Sequence, residues 1–171
     1  DGTEVSWTPP VATLAGNGVP ADAAKATGKA TIGDYDLLQI SAGQSDISGT
    51  IVSLSQPAWV VGAVTCVNVP TNVTFCDHIE EQMLPIDYWG KTYVAAHAPK
   101  RGTEKYHWRV FGGADGVKIT TTPDQTGGPF TLMKGEFKVI TTTAHFVFTG
   151  DGPFLPVQYL AGTNGGAGTG D

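Results

Sequence analysis

The hydrophobic pattern of the chain is dominated by a period of two and by short apolar runs that lie between Gly, Pro and Asp. Both patterns are typical of β-strands, because successive side chains of a strand point to opposite faces. The pattern predicts strands at residues 4–7, 36–41, 49–54, 58–66, 92–96, 106–111, 117–122, 130–132, 136–141, 145–148 and 155–161.

Two of these segments differ in the number of faces they bury. In residues 117–122, apolar or small side chains alternate with Lys and Thr, which indicates one buried and one solvated face. Residues 59–64 are apolar on both faces and are expected to form a central strand. Turn residues at 114–116 and 134–135 are expected to join sequence neighbours as hairpin partners.

Helical signals are restricted to two short segments, residues 20–26 and 77–84. The first is rich in Ala, and the second places Ile79 and Met83 near one face before Pro85 ends it. The predicted fold is therefore all-β, an antiparallel β-sandwich of jelly-roll type with one or two short helical turns. Residues 1–161 are expected to form a single domain and residues 162–171 a Gly-rich flexible tail or linker.

Composition narrows the functional classes. The chain has 171 residues, 16 acidic and 10 basic side chains, and a formal charge of −6. Such an acidic surface offers no footprint for nucleic acid or anionic lipid, and we predict neither as a partner. No apolar run approaches the roughly 18 residues that a membrane-spanning helix requires, so no membrane insertion is expected. The residue usage resembles that of secreted β-proteins.

The cysteines, Cys66 and Cys76, lie ten positions apart. In an exported chain they would form a disulfide. This bond would stabilise the fold by about 2–3 kcal/mol, because it restricts the unfolded chain. The alternative is a pair of free thiols in a cytoplasmic protein. The intervening Asn72-Val73-Thr74 matches the acceptor pattern for N-glycosylation.

No common catalytic motif is present in the sequence, and we predict neither enzyme activity nor a cofactor. The densest ionisable cluster is Asp77, His78 and Glu81. On a helix, Asp77 and Glu81 would share a face and could contribute to a divalent cation site. The alternative is that Asp77 caps the helix and that the acidic residues interact favourably with the helix dipole.

Aromatic residues supply the second candidate site. Trp89, Tyr93 and Trp108 could form a platform on which a sugar ring stacks. The same residue types also form the core of a β-sandwich, which is the competing interpretation. The histidines His97, His107 and His145 are scattered over predicted strands and are interpreted as individually hydrogen-bonded side chains.

Several segments carry a family resemblance in their order and spacing: DISGTIVS at 46–53, QPAWVVG at 56–62, TCVNVP at 65–70, CDHIEEQMLP at 76–85 and WGKTYV at 89–94. Together they resemble the N-terminal domain family of IgG Fc-binding proteins. Residues 106–111, 117–120, 132–137 and 152–160 are similar to the second half of that family. The resemblance implies a secreted or cell-surface β-rich module, a Cys66–Cys76 disulfide and no enzyme activity. A family name does not by itself transfer a ligand.

We therefore predict a non-catalytic binding or structural module, extracellular or at the cell surface, whose partner is a protein or a glycan. Two alternatives stay open. Edge strands could pair between copies in a surface assembly, giving self-association. A metal-dependent hydrolase centred on Asp77, His78 and Glu81 is the other.

Overall fold

The structure, a computed structural model, describes residues 2–168, so Asp1 and residues 169–171 lie outside it. The described residues form twelve strands, all paired antiparallel, and two short 3-10 turns at Ile86–Tyr88 and Thr163–Gly165. The predicted all-β class is confirmed. The chain divides into two compact units, Asp1–Trp59 and Val60–Asp171. The prediction of a single domain over residues 1–161 stays a prediction.

The first unit is built on a three-stranded sheet. Its strands are β1 (Thr3–Thr8), β2 (Gly28–Ile32) and β3 (Ile51–Leu54), with β1 in the middle. Val5 and Trp7 alternate along β1 onto the buried face, as the period of two requires. The indole Nε1 of Trp7 donates a 2.8 Å hydrogen bond to the Asp22 carboxylate, so this buried donor has a partner.

Two predictions in the first unit are wrong. Residues 20–26 do not form a helix, because the chain makes one turn closed by the Ala26 N–H to the Ala23 carbonyl, and Lys25 then takes a left-handed φ of 64°. Residues 36–41 do not form a strand, and Leu37 is exposed there. An apolar run favours a strand only where another strand can pair with it, and 36–41 has no β-partner within the described residues.

Two sheets of the second unit form a sandwich. One sheet places β7 (Tyr106–Gly112) between β10 (Phe137–Thr142) and β12 (Phe154–Tyr159). The other has the order β6-β11-β8-β9, in which β6 is Thr92–Ala95, β8 is Val117–Thr122, β9 is Phe130–Leu132 and β11 is Phe146–Gly150. Both sheets contribute to one hydrophobic core.

Alternation along the strands builds this core. Every second residue of β7 and of β8 is buried, which confirms the predicted pattern of residues 117–122. The centre is aromatic, and edge-to-face contacts join Trp108 to Phe146 and Phe148, and Phe148 to Phe154. Such ring pairs add stabilisation beyond the buried area.

The predicted hairpins at 114–116 and 134–135 are wrong. The first turn leads from β7 to β8 and the second from β9 to β10, and in both cases the two strands belong to different sheets. A hairpin would set two apolar faces side by side on one sheet. A connection that changes sheets lets the inward face of β7 meet the inward face of β8 across the core, which buries both.

The remaining strands, β4 (Val61–Val67) and β5 (Asp77–Gln82), form a two-stranded ribbon that we call the β4–β5 ribbon. Two further predictions are wrong here. Residues 59–64 are not a central buried strand, since β4 is solvent-exposed from Val61 to Cys66. Residues 77–82 are a strand and not a helix, because the backbone pairs with β4 in register from Val61↔Gln82 to Val64↔Ile79.

The segment that follows Ala161 makes defined contacts. The Gly162 N–H donates to the Val69 carbonyl, the Thr103 N–H donates to the Gly166 carbonyl, and Ala167 is buried. Residues 162–168 of the expected tail are thus held against other parts of the second unit, while residues 169–171 lie outside the described residues. Within 2–168, no helix is long and apolar enough to cross a membrane.

Candidate functional site

The β4–β5 ribbon is closed by a disulfide between Cys66 and Cys76, whose Cα atoms lie 5.1 Å apart. The predicted bridge is confirmed. An isolated two-stranded ribbon is only marginally stable in water. The disulfide stabilises this ribbon because it restricts the conformations that the unfolded chain can adopt. The ribbon can therefore remain ordered without being buried.

Apolar side chains of the ribbon are open to solvent. Val61 is 55% exposed, Val64 41% and Met83, just after β5, 43%. Residues paired across an antiparallel ladder point to the same face. The register therefore places Val64 beside Ile79 on one face, and Met83 continues that face next to Gly62. This strip of Val64, Ile79 and Met83 lies outside the core of the sandwich.

The charges of the ribbon lie on one strand. β4 carries no charged residue, whereas β5 carries Asp77, Glu80 and Glu81, all exposed. His78 lies on the opposite face from Asp77 and Glu81, and its Nε2 is 3.3 Å from the Glu80 carboxylate. The strand therefore separates His78 from the two carboxylates that a helix would have brought near it. No group of three or more potential ligands in residues 2–168 could hold a metal ion.

The three aromatic candidates occupy different environments. Trp108 is 6% exposed and belongs to the sandwich core. Tyr93 packs edge-to-face on Phe154 with ring centroids 5.1 Å apart, and its hydroxyl accepts a hydrogen bond from the Gly90 N–H. Trp89 is half-buried and donates from Nε1 to the Leu84 carbonyl. Trp108 is not available to stack on a sugar, and the core interpretation accounts for it.

A second polar cluster, which the sequence did not indicate, surrounds Tyr106. His97 is stacked between the rings of Tyr106 and His145, with centroid distances of 3.9 and 3.8 Å. Burial raises the pKa of the Tyr106 phenol above 10.0, the neighbouring Glu104 carboxylate raises this pKa further, and Arg101 opposes both. Glu104 is 1% exposed and lies 3.1 Å from the Arg101 guanidinium.

This cluster has a structural explanation. The Arg101 N–H donates to the Glu104 carboxylate at 2.9 Å, and the Arg101 guanidinium also donates to the Ala161 carbonyl. The hydrogen bond from the guanidinium to Ala161 ties the 101–104 loop to the segment after β12. Arg101 and Glu104 are only three positions apart, but Ala161 and His145 lie far from them in the sequence, so only the folded arrangement reveals the complete cluster.

Two further features of the sequence are the glycosylation pattern at Asn72 and the half-buried His107. Asn72 is exposed in the turn between β4 and β5, and the hydroxyl of Thr74 in the same tripeptide accepts a hydrogen bond from Asn164. His107 lies on β7, and its Nδ1 atom is 3.1 Å from the hydroxyl oxygen of Thr141. Burial lowers the pKa of His107 below its ordinary 6.5, and the nearby Lys105 lowers it further.

Comparison with known proteins agrees with the sequence resemblance. The family model described as IgGFc binding protein matches residues 1–171. The human protein named IgGFc-binding protein is 33% identical over 66 residues, which is 39% of this chain and 1% of the human protein. The chain thus corresponds to a very small part of that relative, and no solved structure matches it. The match over the whole chain shows that this protein belongs to the IgGFc binding protein family.

Proposed function

We propose that the chain is a non-catalytic protein-binding module that acts outside the cytoplasm, in secreted material or at the cell surface, and that the β4–β5 ribbon is its contact surface. The observation that carries this proposal is the exposure of Val64 and Met83 on one face of a ribbon that a disulfide holds in place. Exposed apolar side chains grouped on one element are typical of protein contact sites.

Two further facts support the proposal. Membership in the IgGFc binding protein family favours a binding role over catalysis. The disulfide fits an oxidising compartment, since structural disulfides are rare where thiols are kept reduced. The name of the human relative refers to the Fc part of IgG, which makes this fragment a sensible first probe but does not identify the partner of this chain.

Binding to immobilised chain tests the proposal, with a panel of purified secreted proteins that includes the Fc fragment of human IgG, and with a glycan array in parallel. We expect saturable binding of a protein that is lost on Val64→Glu and retained on Val94→Glu. Val94 is an equally apolar, exposed residue on β6, outside the ribbon. Saturable glycan binding without protein binding would contradict the proposal, as would protein binding that Val64→Glu leaves intact.

A further inference from the structure

The outer edge of β5 is an unpaired strand edge. The β4–β5 sheet has two strands, so β5 pairs with β4 on one side and with no other strand of the described chain on the other. The Met83 N–H donates to the Val60 carbonyl, which makes Val60 and Met83 a hydrogen-bonded pair. Such pairs alternate along an antiparallel ladder, so the backbone groups of His78, Glu80 and Gln82 point away from β4. These groups are oriented to accept another strand.

The chemistry of this edge selects among incoming strands. Glu80 and Glu81 are neighbours, Asp77 lies near the start of the strand, and no Lys or Arg occurs on β4 or β5. Pairing of β5 with β5 of a second copy would bring like charges together across the new ladder, which is destabilising. An exposed edge that carries charge is also protected against self-association. The acidic edge therefore disfavours a second copy and favours a cationic strand.

We propose that the outer edge of β5 binds an extended, basic peptide segment of a partner protein as an added antiparallel strand. This inference rests on the proposed function and specifies its partner. An added strand obtains affinity from main-chain hydrogen bonds and specificity from alternate side chains. The net charge of −6 acts in the same direction, because it attracts cationic segments over a distance.

The register defines the sequence that the edge prefers. An antiparallel strand meets Glu81, Glu80, Ile79, His78 and Asp77 in that order. Basic residues suit the positions opposite the three carboxylates, an apolar residue suits the position opposite Ile79, and a polar uncharged residue suits the one opposite His78. The expected pattern is therefore basic-basic-apolar-polar-basic. The apolar position would extend the strip of Val64, Ile79 and Met83.

One contact must be exchanged on binding. The Gln82 N–H donates to the carboxylate of its neighbour Glu81 at 3.1 Å. A carbonyl of the incoming strand can replace that acceptor, and Glu81 is then released to pair with a basic side chain. The edge thus loses no hydrogen bond when the strand is added.

The probe for this proposal is a labelled synthetic peptide containing Thr-Lys-Lys-Val-Thr-Lys, titrated with the full chain while fluorescence anisotropy is recorded. We expect saturable binding that weakens as salt is raised, because exposed charge pairs are screened. The same peptide with Pro in place of its second Thr, the residue opposite His78, keeps its charge but loses a backbone N–H that would donate to β5, and it should bind much more weakly. Equal binding of the proline peptide would show simple charge attraction and overturn the proposal.

Charge reversal provides the matched test. The double variant Glu80→Lys with Glu81→Lys should weaken binding of the basic peptide by about tenfold or more, and should bind the peptide Thr-Glu-Glu-Val-Thr-Glu instead. Glu4→Lys, a charge reversal at an exposed position on β1, is the control and should weaken binding of the basic peptide far less than the double variant does. Recovery of binding by the acidic peptide excludes misfolding of the double variant as the cause.

The outcomes separate the two proposals. If the basic peptide does not bind, or binds equally to the double variant, strand addition at β5 is overturned. If a protein of the panel still binds in that case and Val64→Glu abolishes its binding, the proposed function stands. The partner then uses the strip of Val64, Ile79 and Met83 and not the edge of β5. Absence of both peptide and protein binding would overturn the two together.

Discussion

Gly28 lies directly against the indole ring of Trp7, its partner in the β1–β2 ladder, so that a Cβ atom on Gly28 would overlap both the ring and the Asp22 carboxylate. The close approach lets Trp7 reach Asp22 with its indole N–H while the ring stays buried. The first unit thus depends on the absence of a side chain at one position.

A single methyl group tests this dependence. We expect Gly28→Ala to lower the free energy of unfolding by about 2 kcal/mol or more, because the ring or the backbone must move to make room. Gly16→Ala is the matched control, since a Cβ there would meet no atom within 4 Å, and its effect should stay below about 0.5 kcal/mol. Denaturant unfolding followed by tryptophan fluorescence measures both. Equal effects of the two substitutions would show that Gly28 does not lie tightly against the Trp7 ring.

The second prediction concerns the core of the sandwich. Phe148 on β11 is 0% exposed and contacts the rings of Trp108, Phe146 and Phe154. Phe148→Ala should destabilise the protein by about 3–5 kcal/mol, because it removes buried surface and leaves a cavity. Val94→Ala, on the adjacent strand β6 but 72% exposed, should change stability by less than about 0.5 kcal/mol. Thermal unfolding by calorimetry compares the two, and similar midpoints would argue against the assigned core.

The pKa of His107 gives a pH dependence with a defined sign. Burial lowers this pKa below 6.5 in the folded state, so the folded protein binds the proton less readily than the unfolded chain. The associated stability is full above pH 6.5 and is lost as the pH falls towards the lowered pKa. Stability of His107→Gln should therefore decline less steeply than that of wild type below pH 6.5. An NMR titration that places the pKa of His107 above 6.5 would refute this.

The disulfide is expected to act locally. Replacing both Cys66 and Cys76 with Ser should lower the free energy of unfolding by about 2–3 kcal/mol, because the unfolded chain gains conformational freedom. Because the bridge joins β4 to β5, deuterium exchange should accelerate first in residues 61–67 and 77–82, while the amides of β7 and β8 in the core stay protected. Faster exchange throughout the sandwich would show that the bridge supports more than the ribbon.

The sequence predicts the faces of strands better than it predicts their neighbours. Alternation in residues 117–122 determines which side chains are buried, and the structure agrees. The same alternation is compatible with a hairpin or with a connection that changes sheets, because both bury the same face. The choice between them at 114–116 follows from pairing of β7 with β10 and β12, which is a long-range property.

The ribbon shows where local patterns are ambiguous. Residues 77–82 place charges at spacings that suit one face of a helix, but each residue also fits an exposed strand. Pairing with β4 decides the outcome, since a short helix gains little stability by itself. The prediction that β4 is buried was wrong for a related reason. An apolar composition shows that a segment could be buried, but it does not show whether another part of the fold covers it. The cysteine pair was predictable because two cysteines in an exported chain allow few arrangements.

Amide exchange across β5 tests the central claim most directly. In the proposed complex the basic peptide adds to β5 through the outward backbone groups of this strand, those of His78, Glu80 and Gln82. NMR exchange rates with and without the peptide Thr-Lys-Lys-Val-Thr-Lys should show slower exchange at Glu80 and its outward neighbours, with the amides of Ile79 and Glu81, already directed towards β4, little changed. Unchanged exchange at Glu80 with the peptide bound, or slower exchange confined to another strand, would contradict the account.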